Sequence, residues 1–258
     1  MAIISYKNKF IFIKGRKIAG TSMELALLKF CGRNDVVGKL NDEHYNEWIG
    51  LKSAKKYISS AQSKKINVKG FYTFIASFVK VLPLTKSIFK FNYSPNFSLK
   101  IPLFVEKNLD PHSTIGEVKK IAGDDFFNKA IKFTIVRNPY DQFLSYYMSK
   151  TYLKKFDKEK FHNFAKNHSY YFFNREYTII SLNNTLPYDK IIKYENLKKD
   201  IEELGNMINL PENLYDIFKN ILANKLSGTK PNIIEKDTKK IIYTNAYNFF
   251  KLFNYSEN

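Results

Sequence analysis

The chain has 258 residues, 44% of them hydrophobic and 16% aromatic, which is enough to bury one substantial core in a single domain spanning 1–258. Its formal charge of +18 rests on 42 basic residues, of which only four are arginine; with Asn, Ile, Phe and Tyr also abundant, the charge reflects coding bias and a general attraction for acidic ligands. The lone Cys31 excludes an intramolecular disulfide and fits a reducing cytoplasm, the four scattered histidines suggest no metal cluster, and no helix-turn-helix, zinc-finger or aromatic RNA motif points to nucleic acid.

The start, MAIISYKNKFIFIKG, runs directly into strand-forming residues and is too short and interrupted for a secretory signal. Phe10 to Ile13 is β-branched and aromatic, as a buried strand requires, and from Met23 the sequence MELALLKFCG predicts a helix ending near Gly32. Between them lies a loop with Gly15, Lys17, Gly20, Thr21 and Ser22. Glycines let a backbone approach an anion, and the free amides at a helix start face it with the positive end of the dipole behind them. A phosphate-bearing ligand is the guest such a turn fits. Thr21 and Glu24 have the spacing of a capping box. Gly15-x-x-x-x-Gly20 has the spacing of a nucleoside-triphosphate P-loop, but Thr21 follows Gly20 where that motif has Lys, and Lys17 precedes it by three residues. An ordinary strand-to-helix turn accounts for this stretch equally well when it is taken alone.

Residues 33–100 read as a helical insertion. Within it, residues 71–91 come nearest to a membrane segment, but Lys80, Pro83 and Lys86 interrupt them. A helical hairpin or lid over an acceptor site is the first reading, and a basic surface touching lipid headgroups or a glycolipid the rival. Residues 101–105, IPLFV, predict a strand, and Pro111-His112-Ser113-Thr114 leads into helix-forming residues. His112, with a reference pKa of about 6.5, is the histidine best placed for a general base. Glu106 and Asp110 are the carboxylate alternatives, and a surface or capping histidine is the plain one.

A second apolar run, Phe133 to Val136, ends in Arg137, then Asn138 as N-cap and Pro139 at the first helical position. Arg137 stands at the carboxyl end of a buried strand, where open α/β sheets bind ligands. Its planar fork suits a phosphate monoester, and Ser145, about two turns into the helix, adds a hydroxyl. A buried pair with a structural carboxylate is the alternative for Arg137. Farther on, the aromatics of FFNREYTII, within predicted loops at 151–185, suit core packing or stacking on sugar rings. Ser227 to Pro231, with Lys230, reads as a loop closing over a nucleotide or as a turn between helices. Strands alternating with helices imply an α/β fold: a P-loop-like central parallel β-sheet with helices on both faces.

These segments resemble the signature elements of sulfotransferases that use 3′-phosphoadenosine 5′-phosphosulfate (PAPS), especially the carbohydrate-type branch. Lys17-Ile18-Ala19-Gly20-Thr21-Ser22 resembles the family's K-T-A-G-T-S loop, which holds the 5′-phosphosulfate. Phe133 to Asp141, followed by Ser145, resembles its F-x-F-V-R-N-P-x-D-R-x-x-S segment, whose Arg and Ser bind the 3′-phosphate. Residues 188–200, YDKIIKYENLKKD, and the closing Leu252-Phe253-Asn254-Tyr255 resemble two further elements, and the order of all four agrees. Arg16 replaces a frequent Pro and Lys14 a frequent His, both adding positive charge near the sulfate; Gln142 stands where Arg is common and Phe249 where an acid is usual.

The resemblance implies a donor site of Lys17, Ala19, Gly20, Thr21, Ser22, Arg137 and Ser145, to which Arg16 and Lys230 add positive charge, with Lys17 and His112 in catalysis and no metal required. The acceptor it implies is a hydroxyl of a saccharide, glycolipid or other glycoconjugate. Two other classes remain open on the sequence: a P-loop kinase or hydrolase, which the Lys placement disfavours, and a basic protein binding nucleic acid or a membrane surface without catalysis.

Overall fold

The computed structural model describes residues 2–32, 34–38, 109–110, 112–151, 156–223 and 234–257. Among these residues five strands form one sheet: β1 (Ile3–Ser5), β2 (Phe10–Ile13), β3 (Val36–Val37), β4 (Ile131–Val136) and β5 (Lys190–Lys193), in the order β3-β1-β2-β4-β5. The β2, β4 and β5 strands are mutually parallel, with Ile13 opposite Thr134 and Val136 opposite Lys193. The β1 strand runs antiparallel to β2 and to β3, so the sheet is mixed and not the all-parallel one expected. The reason is local. Four residues separate Ser5 from Phe10, a length that closes an antiparallel hairpin but cannot carry a parallel crossover.

Helices follow the strands in chain order: α1 (Gly20–Leu28), α2 (Ile115–Ala122), α3 (Asp124–Lys129), α4 (Pro139–Thr151), α5 (Lys158–Ile180), α6 (Leu197–Met207), α7 (Leu214–Ala223), α8 (Lys236–Asn245) and α9 (Tyr247–Leu252). Alternation along the strands sends side chains to two cores. Ile3, Phe10, Phe12, Phe133, Ile135 and Ile192 meet α1, α6 and α7, whereas Ile4, Ile11, Ile13 and Val136 meet α4, α5, α8 and α9. Helices thus cover both faces, as the alternating pattern predicts. The second core is aromatic: Phe143, fully buried, has the rings of Tyr146, Phe161, Phe164, Phe172 and Phe173 around it at centroid distances of 5.5 to 6.1 Å.

Two sequence expectations change. The residues predicted as loops at 151–185 contain the 23-residue helix α5, whose buried positions Phe161, Ala165, Ser169, Phe172, Glu176 and Ile179 recur every three or four residues and form one stripe. The beginning of the proposed insertion contributes the edge strand β3. The rest of it, the 71–91 segment, the strand at 101–105 and Glu106 lie outside the described residues. Among the described residues no helix is long and apolar enough to cross a membrane.

Removing the ring at the centre of the aromatic core leaves a cavity that its rigid neighbours cannot close. Phe143→Ala is expected to cost about 3–5 kcal/mol, read as a lower denaturant midpoint with an unchanged slope.

Candidate anion-binding site

Parallel pairing of β2 with β4 brings the two predicted phosphate segments to the same end of the sheet, because both strands finish there at their carboxyl ends. The loop after β2 and the residues after β4 then touch directly: Arg137 Nη1 donates to the carbonyl oxygen of Lys17 at 3.3 Å.

The loop has an unusual backbone. Lys17 (φ 61°) and Ala19 (φ 63°) are left-handed while Ile18 between them is not. Such alternation turns successive amides toward a common point, a nest for an anion. Left-handed non-glycine residues are each disfavoured by about 1–3 kcal/mol and gather at ligand-binding turns. Ala19 caps α1 through its backbone, its carbonyl accepting from Ser22 and Met23 at 3.0 and 3.2 Å. Among the described residues the amides of Ile18, Ala19, Gly20 and Thr21 find no backbone acceptor, as at any helix start.

The glycines make room for side chains. A Cβ on Gly15 would lie 2.7 Å from Glu176 Oε2, and one on Gly20 would lie 2.5 Å from Lys14 Cγ. The capping box expected from Thr21 and Glu24 is also absent. Both residues lie within α1, and the buried Glu24 instead pairs with Lys14 Nζ at 2.7 Å, which donates to Thr21 Oγ1 at 3.0 Å as well. The same spacing does form a capping box at Thr114 and Glu117, where the glutamate faces solvent.

Glu176, on α5, is the anchor that sequence reading missed. Its Oε1 accepts from Arg16 Nε at 2.5 Å, and its Oε2 from the Arg16 amide at 2.8 Å and Gln142 Nε2 at 3.2 Å. Gln142 also donates to the Arg16 carbonyl at 2.8 Å, and Arg16 Nη2 to that of Phe172 at 2.8 Å. The Arg16 guanidinium lies over the Phe172 ring at 4.4 Å. Burial pushes the Glu176 carboxyl up, against the opposing pull of Arg16. Arg16 was predicted to add charge at the donor; its charge is instead neutralised within the fold, and it fixes the loop. Lys14, paired with Glu24, is neutralised in the same way. The signal for Glu176 was an acid standing in the apolar stripe of α5.

Arg137 differs. It is 6% exposed, it has no carboxylate partner among the described residues, and its Nε is buried without an acceptor. Its guanidinium stacks on Tyr194 at 4.2 Å. Tyr194 opens the short 3-10 turn Tyr194–Asn196 after β5, and the next residue, Glu195, accepts from the Asn138 amide at 2.8 Å and from the Tyr255 hydroxyl at 2.9 Å. Asn138 caps α4 as predicted, its Oδ1 accepting from the Tyr140 amide at 2.9 Å. The four segments singled out in the sequence, at Lys17, Arg137, Tyr194 and Tyr255, therefore converge on one place. Ser145 is half-buried, one turn beyond Gln142 on the same side of α4; Lys230 lies outside the described residues.

His112 stands beside the loop. Burial first, and then surrounding positive charge including Lys14 and Arg16, pushes its pKa down from 6.5 to about 3. Its Nδ1 is buried without a partner. The ring is thus neutral at pH 7, but a weaker base than the sequence alone led one to expect. Asp110 is exposed, and its backbone carbonyl accepts from Ser113. Among the described residues no group of His, Cys, Asp and Glu is arranged to hold a metal ion. Comparison of the chain with family models, curated proteins and solved structures finds no match.

Glu176→Ala leaves Arg16 largely buried and unpaired. Because Arg16 keeps 20% of its side chain in water, the expected loss is about 3 kcal/mol, the lower end for breaking such a pair, measurable by urea unfolding. For His112 the unfolded chain binds a proton below pH 6.5 that the folded chain refuses until about pH 3, so stability falls as pH drops through that window. His112→Gln should flatten that part of the stability profile; an unchanged slope would show an ordinary histidine.

Proposed function

We propose that this chain is a sulfotransferase that moves a sulfuryl group from PAPS to a hydroxyl of a saccharide or glycoconjugate, on a P-loop-like sheet in the cytoplasm. The observation that carries the reading is the contact of Arg137 with the Lys17 carbonyl: two segments 120 residues apart, each resembling one half of the family's donor site, form a single site. A guanidinium that is buried, stacked and without a carboxylate is complementary to a dianion such as a phosphate monoester. The nest and the start of α1 supply amides for a second anionic group. A nucleotide with phosphates at both ends of its ribose satisfies both.

PAPS would supply an SO₃ group bound to a good leaving phosphate. The acceptor oxygen gains the new S–O bond, the S–O bond to the 5′-phosphate breaks, and the acceptor proton leaves. Lys17 meets the negative charge growing on the departing oxygen, a role that favours the transition state over the ground state. His112, neutral at pH 7, takes the acceptor proton. Phosphates bound nearby raise its proton affinity above that of the free protein, because adjacent negative charge favours the imidazolium. Arg16 and Gln142 hold the loop in the shape these contacts need.

Calorimetry with adenosine 3′,5′-bisphosphate in the absence of Mg²⁺, set beside ATP with Mg²⁺, tests the reading. The bisphosphate should bind and ATP should not; the reverse order points to a P-loop kinase or hydrolase, and loss of binding at moderate salt to a basic surface protein. Arg137→Ala should weaken the bisphosphate, while Lys17→Ala should lower sulfate transfer by roughly 10²–10³ at saturating donor.

A further inference from the structure

Residues 253–257, which follow α9, belong to no helix or strand and run back to the Arg137 side of the site. Asn254 (φ 51°) is left-handed and turns the chain away from α9, the Tyr255 amide donating back to the Phe250 carbonyl at 3.0 Å. Such a turn is a common helix ending, and asparagine adopts it readily. Phe253 is buried and fixes the near end. Beyond it, side chains hold the segment down. The Tyr255 hydroxyl donates to Glu195 Oε2 at 2.9 Å, Lys193 Nζ lies 5.2 Å from the centre of the Tyr255 ring, and the Tyr140 hydroxyl donates to the Glu257 carbonyl at 2.8 Å.

These contacts gather around Arg137. Lys193 and Glu195 flank Tyr194, on which the guanidinium stacks, and Glu195 Oε1 takes the amide of Asn138, the residue after Arg137. Burial first, and then Glu195, pushes the Tyr255 hydroxyl up, while the charge of Arg137 pulls it back, so at pH 7 it is a neutral donor beside that guanidinium. Arg137 Nη1 is already turned to the Lys17 carbonyl, and Nε is buried without an acceptor. The edge of the fork formed by Nε and Nη2 offers the two parallel donors that meet two oxygens of a phosphate, yet in this conformation nothing from solvent reaches Nε. Some cover has to move before an anion takes both. The strands and α4 are fixed in the sheet and its cores, whereas the segment after α9 is tied by a few side-chain contacts, the kind of element that opens locally while the rest stays folded.

We propose that residues 253–257 are a strap over Arg137, latched by the Tyr255–Glu195 hydrogen bond, which opens to admit an anion and closes behind it. Its purpose rests on the reading of Arg137 as an anion-binding residue, but its motion is measurable without a nucleotide. Phenylglyoxal, which modifies accessible guanidinium groups, reads the motion in the full chain, with peptide mass spectrometry as detector and exposed Arg175 as internal reference. In the wild type Arg137 should react far more slowly than Arg175. Tyr255→Phe keeps the ring on Lys193 and deletes the latch; labelling of Arg137 should rise roughly tenfold, the worth of a hydrogen bond to a charged group. Tyr140→Phe, which removes the neutral bond to Glu257, should raise it about threefold. Arg16, held by Glu176, should stay slow in both variants, which separates strap opening from unfolding. A gate sets rates of entry and exit. In stopped-flow binding of adenosine 3′,5′-bisphosphate, Tyr255→Phe should therefore speed association and dissociation together and leave Kd within about twofold. Arg137 as reactive as Arg175 in the wild type, or unmoved by both substitutions, would overturn the strap, and so would weaker bisphosphate binding at an unchanged association rate. Faster labelling of Arg137 in a protein that ignores the bisphosphate would keep the strap and refute the donor.

Discussion

The buried carboxylate of Glu176 is the constraint on which the rest of the site depends. It receives the side chain and the amide of Arg16 and the amide group of Gln142, and so ties the loop after β2 to α4 and α5 at once. A short loop with two left-handed residues that are not glycine does not hold its shape unaided. Removing a carboxylate from water is unfavourable, and here the loss is offset by a guanidinium and two further donors aimed at it. Gly15 belongs to the same arrangement, since a side chain there would collide with the carboxylate.

The charges around the loop divide into two kinds. Lys14 and Arg16 are answered from within the fold by Glu24 and Glu176, and serve architecture. Arg137 is buried with nothing negative against it among the described residues, and what it leans on is the electron-rich face of Tyr194 and a carbonyl. A cation kept in that state suits the anionic ligand proposed for the site. Formal charge counted along the chain does not separate these kinds, because the difference lies in partners brought from far away.

Much of the framework was legible in the residues themselves. The strands at Phe10 and Phe133, the N-cap at Asn138 and the opening of α4 at Pro139 follow from local chemistry and stand as expected. So does the meeting of Lys17 and Arg137, which any sheet placing those strands side by side in parallel would bring about. Other features were hidden because they depend on distant partners. Thr21 and Glu24 carry the same spacing as Thr114 and Glu117, but the lysine paired with buried Glu24 decides which pair caps a helix. The aromatics of FFNREYTII read as loop residues when taken alone; the period of the whole stretch from Phe161 makes them helical, and in that period Glu176 occupies a core position. His112 shows the same limit, since its reference acidity holds only in water and burial removes it.

The pairing of β2 with β4 also bears on how the molecule is assembled. Contacts that close the site span 120 residues between Arg137 and Lys17 and 160 between Arg16 and Glu176. Loops of that length form late, after local helices and the β1–β2 hairpin have condensed. During synthesis the first strand pair therefore leaves the ribosome well before β4 exists to cover its open edge, and that apolar edge must be shielded in the interval. No early fragment can possess the nest, because its shape is imposed by residues that the nascent chain has yet to receive.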